Sequence, residues 1–164
     1  MSKAVILVGR VGSGKTFYAK ELLKKGGAVL LSVDEIMLAL FGNDAGEKHD
    51  FYATRTQKYL FEKSIEILAS GKDVILDWGF WRRCDRDSAR AFYAEAGYAC
   101  EAMYLDVSKD VRRRNIAARN MALQSGAESA YFMDDSVADK FDSFFEVPTD
   151  DEDYILVLGE EDNT

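Results

Sequence analysis

Eight residues near the start of the chain have the types and the spacing of a phosphate-binding loop. The segment Gly9–Thr16 reads GRVGSGKT and fits the pattern G-x-x-x-x-G-K-[ST] in full. Its glycines let backbone N–H groups turn inward and approach phosphate oxygens closely. Lys15 is long enough to reach the β- and γ-phosphates, and the Thr16 hydroxyl can bind Mg²⁺. The motif predicts a nucleoside triphosphate site, for ATP with Mg²⁺ in the first place.

The residues on either side of this loop support the same interpretation. Ala4–Val8 is an apolar run typical of a strand buried on both faces, and Lys15–Lys25 has the pattern of a helix that ends at Gly26. The helix N-terminus adds partial positive charge where a phosphate would bind. The predicted nucleotide contacts from this region are Gly9, Val11, Gly12, Ser13, Gly14, Lys15, Thr16 and Phe17.

A carboxylate follows the second apolar run. Asp34 comes after Val29–Val33, and an acid at that strand end faces the same edge of the sheet as the phosphate loop. It can accept the proton of a substrate hydroxyl while the oxygen attacks the γ-phosphate. Two alternatives stay open: Asp34 can cap a short helix that runs to about Phe41, and the adjacent Glu35 can compete for the catalytic role.

A second carboxylate, Asp77, ends the apolar run Val74–Leu76. An acid at this place can hold a Mg²⁺-bound water or orient the acceptor. The residues that follow, up to Arg83, supply aromatic surface, a glycine and two cations, of which Arg82 is the first. They favour an acceptor-binding wall, and the competing interpretation is an aromatic core edge followed by a solvated helix start. Asp106 ends a similar apolar run, so this pattern is weak on its own.

Four arginines stand out in an acidic chain. Arg112–Arg114 and Arg119 lie on a helix that Ser108 is expected to cap and that runs to about Met121. Guanidinium groups bind pairs of phosphate oxygens, and a helix that carries them can close over a nucleotide as a lid. The alternative is a solvated helix face paired with nearby acids. Given the phosphate loop, we expect at least one of these arginines to contact phosphate or base.

Composition narrows the function classes. The chain has 164 residues, of which 48% are hydrophobic and 30% are charged, as expected for one globular domain spanning 1–164. Its net charge of −8 argues against a non-specific grip on nucleic acid. The apolar runs, about five residues long, are too short for a membrane helix. Two cysteines and no secretory signal pattern favour a reducing cytoplasm, so we expect a cytoplasmic protein without a membrane partner.

Strand and helix patterns alternate along the chain. Further strands are predicted at Ala99–Leu105 and Tyr154–Leu158, and further helices at Phe51–Ser70, Arg83–Ala96 and Asp134–Phe144. Five short apolar strands separated by helices predict an α/β protein, with three α/β/α layers around a five-stranded parallel sheet. The order of the strands does not follow from one sequence.

Together these segments resemble a known family. The chain is similar to small P-loop kinases of the group that includes phage polynucleotide kinase, chloramphenicol phosphotransferase and zeta-toxin-like kinases, and the resemblance covers most of the chain. It rests on Gly9–Thr16, Ser32–Glu35, Val74–Asp77 with the arginines after it, the arginine helix after Leu105, and the stretch Phe145–Pro148 followed by Asp151 and Glu152.

The resemblance implies a P-loop NTPase fold with ATP as phosphoryl donor. It implies that Asp34 activates the acceptor and that Asp77 is the acid after the third strand. It also implies a helical lid at about residues 108–133. Arg119 resembles the second arginine of the lid motif R-x-x-x-R and is therefore expected to act in catalysis. Asn115 stands where the first arginine would be, with Arg114 beside it as a further nucleotide contact.

The leading hypothesis is an ATP-dependent kinase that phosphorylates a hydroxyl of an unidentified small-molecule or nucleotide-like acceptor. Catalysis would depend on Lys15, Asp34 and Arg119. The acceptor would contact Asp34, Asp77 and Arg82, and the metal would contact Thr16 and Asp77.

Two other functions stay open. One is a regulatory nucleotide-binding NTPase without an acceptor. The chain has no N-K-x-D motif for guanine, and an AAA-type motor is disfavoured because no helical lid domain follows. The other is a 5′-polynucleotide kinase. The acidic charge speaks against it, as does Ile36–Leu38, where similar kinases carry an arginine.

Overall fold

A computed structural model describes residues 1–126 and 130–159 of the chain. Its strands are β1 (Lys3–Val8), β2 (Ala28–Ser32), β3 (Asp73–Asp77), β4 (Ala99–Asp106) and β5 (Tyr154–Leu158). Its helices are α1 (Lys15–Lys24), α2 (Val33–Phe41), α3 (His49–Ala69), α4 (Arg83–Glu95), α5 (Lys109–Gln124) and α6 (Asp135–Phe144), with a short 3₁₀ turn at Gly46–Lys48. Among these helices, none combines the length and the apolar character that crossing a membrane requires.

The five strands form one parallel sheet in the order β2-β3-β1-β4-β5. The predicted α/β class and five-stranded parallel sheet are confirmed. Because β1 is central, the loop after it leaves the sheet between the ends of β3 and β4. Ser32 of β2 lies opposite Asp77 of β3 in the register, so Asp34 follows only two residues beyond that pair. The carboxyl edge therefore carries Asp34, Asp77 and the phosphate loop in that order.

Side chains of β1 alternate between two covered faces, which explains why the whole strand is apolar. On one face Val5 and Leu7 pack with Ala19 of α1. On the other face Ala4, Ile6 and Val8 pack into a larger cluster with residues of α3 and α4, including Leu68 and Tyr93. A strand held rigidly from both sides gives the loop after it a fixed starting point.

The N-terminus of α2 corrects one expectation. The Ser32 hydroxyl, not Asp34, caps this helix by accepting a hydrogen bond from the backbone N–H of Glu35 at 3.3 Å. Asp34 lies in the first turn, where a carboxylate interacts favourably with the helix dipole. The Asp34 side chain therefore does not cap α2 and is available to the cleft. The alternative prediction, that Asp34 caps this helix, is wrong.

The other helix ends lie within three residues of the predicted positions. Ser108 caps α5 as expected by accepting from the N–H of Val111, and Asp134 caps α6 by accepting from the N–H of Val137. The main differences are an earlier start of α3, at His49, and a later end of α5, at Gln124.

Candidate active site

The segment Gly9–Thr16 leaves β1 and turns directly into α1 with the backbone that its glycines permit. Gly12 and Gly14 have φ angles of 80° and 85°, in the left-handed region that glycine adopts without a steric cost. Gly14 is also the N-cap of α1, and it makes no side-chain cap. The Ser13 hydroxyl is buried and has no hydrogen-bond partner among the described residues. The loop thus leaves polar groups unsatisfied, as an anion site does before it is filled.

Lys15 folds back over its own loop. Its ammonium donates to the carbonyl oxygens of Gly9 at 2.8 Å and Arg10 at 3.1 Å. Burial lowers the pKa of Lys15 to about 8, although the nearby carboxylates of Asp77 and Asp34 act in the opposite direction. A lysine in this state can exchange two carbonyl contacts for the stronger attraction of phosphate oxygens.

Thr16 and Asp77 join the start of α1 to the end of β3. The Thr16 hydroxyl donates to Asp77 Oδ2 at 2.8 Å, and Asp77 is buried. A hydroxyl and a carboxylate are the oxygen ligands that Mg²⁺ prefers when substrate phosphates complete its shell. Within residues 1–126 and 130–159, no group of three or more His, Cys, Asp or Glu is arranged to hold a metal ion. Thr16 and Asp77 therefore fit a Mg²⁺ ion whose remaining ligands come from the substrate phosphates.

Asp34 lies close to the same charged groups. Burial raises the pKa of Asp34, the Asp77 carboxylate adds to the rise, and Lys15 and Arg119 oppose it. A carboxylate with a raised pKa is a better proton acceptor near neutral pH. Asp34, Asp77 and Lys15, from three elements, thus line one cleft.

The helix α5 packs against the outside of the phosphate loop. Asn115 Nδ2 donates to the Gly12 carbonyl at 2.9 Å, and Arg112 Nη1 donates to the Val11 carbonyl at 3.3 Å. A Cβ added at Gly12 would lie 2.6 Å from the Arg112 carbonyl oxygen, so the backbones are in close contact. Arg112 also forms a two-pronged ion pair with Asp142 of α6, both distances being 2.9 Å. Arg112 is buried and does not belong to a solvated helix face.

Arg119, Arg114 and Arg82 lie in different surroundings. Arg119 lines the cleft, and its Nε is buried with no hydrogen-bond partner in the described part of the chain. Arg114 is exposed and lies outside the residues that line the cleft. Arg82 lines the cleft but pairs with Asp85, at 3.2 Å, as part of the α4 capping box. Phe17 is 71% exposed at the cleft margin.

The cleft is open and has a volume of about 2710 Å³. It runs from the phosphate loop past Asp34 to the start of α3 and the aromatic segment after β3. Sequence reasoning assigned no role to Tyr131 or His49, yet both line this cleft and contact each other. No local sequence pattern indicates this contact, because the two residues are 82 positions apart in the chain.

Solved structures share this fold at low sequence identity. A chain of the Pnkp1/Rnl/Hen1 RNA repair complex is 22% identical with a TM-score of 0.68, over 87% of this chain and 43% of that one. A gluconokinase from Sinorhizobium meliloti 1021 is 18% identical with a TM-score of 0.60, over 95% and 82% of the two chains. The APS kinase of Mycobacterium tuberculosis, solved with AMPPNP and APS, is 20% identical with a TM-score of 0.62, over 98% and 90%.

These likenesses concern the fold, and the present chain spans less than half of the RNA repair chain that it matches. A search of curated proteins found no match. The P-loop NTPase fold and the resemblance to small P-loop kinases are confirmed. Residues 5–148 match the family AAA_33, described as an AAA domain, and because the match spans most of the sequence, the chain belongs to this family.

Proposed function

We propose that this protein transfers the γ-phosphate of ATP to a hydroxyl group of a small-molecule or nucleotide-like acceptor. The observation that carries the proposal is the carboxylate of Asp34, which lines the cleft of the phosphate loop near Lys15 and Asp77. A module that only binds a nucleotide does not need an acid on the acceptor side of its phosphate site. A kinase needs one to receive the acceptor proton.

On the donor side, backbone amides of the loop would bind the phosphates, and Lys15 would turn from the loop carbonyls to the β- and γ-phosphates. Arg119 would add its unpartnered Nε–H to the same charge. Thr16 and Asp77 would hold Mg²⁺, which would neutralise part of the phosphate charge when bound. The structural likeness to a kinase solved with AMPPNP supports adenine as the base.

In the transfer step, Asp34 would take up the proton that the acceptor hydroxyl loses. The acceptor oxygen forms a bond to the γ-phosphorus, its proton passes to the Asp34 carboxylate, and the bond between that phosphorus and the β-phosphate oxygen breaks to release ADP. The raised pKa of Asp34 strengthens it as the proton acceptor. The lid helix α5 would bring Arg119 to the charge that develops in this step.

Asp34→Asn is the variant that tests this proposal. It keeps the shape of the side chain and removes the base, so phosphate transfer should fall about 10²- to 10⁴-fold. The measurement is incorporation of ³²P from γ-labelled ATP into a deproteinised small-molecule extract. A 5′-hydroxyl oligonucleotide in the same assay should stay unlabelled. Burial raises the pKa of Asp34, so the charged form is disfavoured in the folded state and the variant should melt no lower than wild type at pH 7.

Two controls separate binding from transfer. Lys15→Ala should lose the Mg²⁺-dependent rise in melting temperature that ATP gives the wild type. Asp44→Asn changes an exposed carboxylate outside the cleft and should leave both measurements unchanged. Full transfer by Asp34→Asn, or loss of transfer on changing Glu35 instead, would contradict the role of Asp34.

A further inference from the structure

Two aromatic side chains meet beside Asp34 from different parts of the chain. His49 begins α3, and Tyr131 lies in the segment between α5 and α6. Their rings are 5.5 Å apart at an interplanar angle of 87°, an edge-to-face contact. Both line the cleft, and both interact electrostatically with the Asp34 carboxylate. The pair therefore forms a wall next to the group that would receive the acceptor proton.

The hydroxyl of Tyr131 is the unsatisfied part of this wall. It is buried, and residues 1–126 and 130–159 offer it no hydrogen-bond partner. A buried hydroxyl without a partner is costly and uncommon in a folded protein. Since Tyr131 lines the cleft beside Asp34, a polar group of a bound molecule can supply the missing partner.

The charges around this wall do not suit an anion. Arg82 pairs with Asp85 at 3.2 Å, and Lys58 lies 4.0 Å from Glu62. Beyond these pairs the cleft is lined by Glu35 and Asp50, for which the described residues provide no ion-pair partner, and by Lys20 on the helix of the phosphate loop. Lys15 and Arg119 are the cations nearest to Asp34, and the triphosphate needs both. A carboxylate or phosphate on the acceptor would face uncompensated acids.

Another part of the cleft has an aromatic floor. The ring of Phe61 meets Trp78 edge to face at 5.3 Å, and Trp78 stacks on Phe80 at 5.4 Å. All three line the cleft, where Phe61 is partly exposed and the almost fully buried Trp78 supports its ring. An aromatic ring held in place in this way favours a flat apolar group, which loses water on binding.

We propose that the acceptor is an uncharged or cationic hydroxyl compound with a flat apolar face, bound between Asp34 and the wall formed by His49 and Tyr131. This inference rests on the proposed kinase function and narrows its acceptor. Tyr131 is then a binding residue that donates a hydrogen bond to the acceptor.

The charge is tested with two probes that differ only in one group. The probes are 4-nitrophenyl β-glucoside, which is neutral, and 4-nitrophenyl β-glucuronide, which carries a carboxylate. Each is titrated calorimetrically into the full chain saturated with AMPPNP and Mg²⁺. The glucoside should bind, and the glucuronide should bind at least about tenfold more weakly, because its charge meets the acids of the cleft.

Tyr131→Phe tests the position of the site. It removes one hydrogen bond and keeps the ring, so the dissociation constant of the glucoside should rise about fivefold while AMPPNP binding stays unchanged. Tyr59→Phe is the matched control, since this tyrosine lies on α3 outside the cleft and is 58% exposed. It should bind both ligands as the wild type does.

Each contrary result has a separate meaning. Equal or tighter binding of the glucuronide overturns the charge assignment, and unchanged glucoside binding by Tyr131→Phe overturns the site. Binding of AMPPNP without binding of either probe overturns this inference and leaves the kinase proposal standing. Failure of AMPPNP itself to bind overturns the proposed function, and the acceptor site with it.

Discussion

A partly buried lysine near two carboxylates is the titratable cation of the phosphate loop. Lys15 has a pKa lowered to about 8 because burial outweighs the pull of Asp77 and Asp34. The triphosphate brings several negative charges to the same place, and these favour the ammonium form. Nucleotide binding and protonation of Lys15 are therefore linked, and binding of the triphosphate raises the pKa of Lys15.

ATP affinity should decrease as the pH rises above about 8. Below that pH Lys15 is already protonated, so binding takes up no proton and the dissociation constant stays nearly flat. Above it the free protein holds neutral Lys15, binding takes up one proton, and the dissociation constant rises about tenfold per pH unit. Calorimetric titration with ATP and Mg²⁺ in buffers of different ionisation enthalpy measures both effects.

Without nucleotide, the stability of the folded protein should increase with pH over the range in which the affinity for ATP decreases. Between about pH 8 and 10.5 its folded state holds fewer protons at Lys15 than its unfolded state, so the contribution of this group to stability increases with pH. Lys15→Arg keeps its charge throughout and should bind ATP with a flat pH profile. A wild-type dissociation constant that is constant from pH 7 to 10 would show that Lys15 is not the linked group.

At the scale of elements, α5 fixes two carbonyl groups of the phosphate loop. A trans peptide unit directs its C=O and N–H to opposite sides. Asn115 holds the Gly12 carbonyl by a hydrogen bond from α5, while the Ser13 N–H of the same peptide unit donates to the Arg10 carbonyl at 3.2 Å within the loop. Arg112 holds the Val11 carbonyl in the same way, so the Gly12 N–H of that peptide unit faces away from this contact. Helix α5 thus braces the phosphate loop at its base.

Asn115→Ala should weaken nucleotide binding with little effect on folding. One hydrogen bond of about 1 kcal/mol is lost at a site exposed to solvent, so the dissociation constant for ATP with Mg²⁺ should rise about fivefold. Asn120→Ala is the matched control. The same side chain on the same helix bonds there to Met133 instead of the loop. Equal effects of the two variants on ATP binding would mean that the brace has no part in it.

This contact also shows where prediction from sequence stops. The loop Gly9–Thr16 and its flanking strand and helix were predictable because motif and periodicity are local. Arg112 was grouped with the solvent-facing or lid arginines, since its partner Asp142 follows 30 residues later on another helix. The pairing of Tyr131 with His49 was hidden for the same reason. Local pattern identifies groups that can do chemistry, whereas tertiary packing decides which of them remain available.

At the scale of the whole molecule, strand order makes the site. The parallel sheet was predictable from alternating strands and helices, but its order was not, because strand pairing depends on contacts distant in sequence. The order β2-β3-β1 brings Asp34 and Asp77 to one side of the phosphate loop, while β4 and β5 lie on the other side. The segment that leads into β5, at the edge of the sheet, must also be attached to the rest of the protein.

A buried ion pair makes this attachment. Arg86 of α4 donates through Nε and Nη2 to the two carboxylate oxygens of Glu152, both at 2.7 Å, and both side chains are almost completely buried. Arg86 also donates to the carbonyl oxygens of Phe80 and Trp81, so it holds the aromatic segment of the cleft as well. The pair connects the start of α4, the aromatic floor and the approach to β5.

Glu152→Gln should therefore destabilise the entire fold. It leaves the Arg86 charge buried without its counter-charge, which costs about 3–5 kcal/mol, a large part of the 5–15 kcal/mol typical of a domain. The melting temperature should fall by roughly 10 °C in thermal denaturation followed by circular dichroism. Asp151→Asn removes the neighbouring carboxylate, which pairs with Arg83 at the surface, and should leave the melting temperature almost unchanged. Similar melting temperatures for the two variants would show that burial adds nothing to the pair, and that the attachment of β5 depends on its backbone pairing with β4 alone.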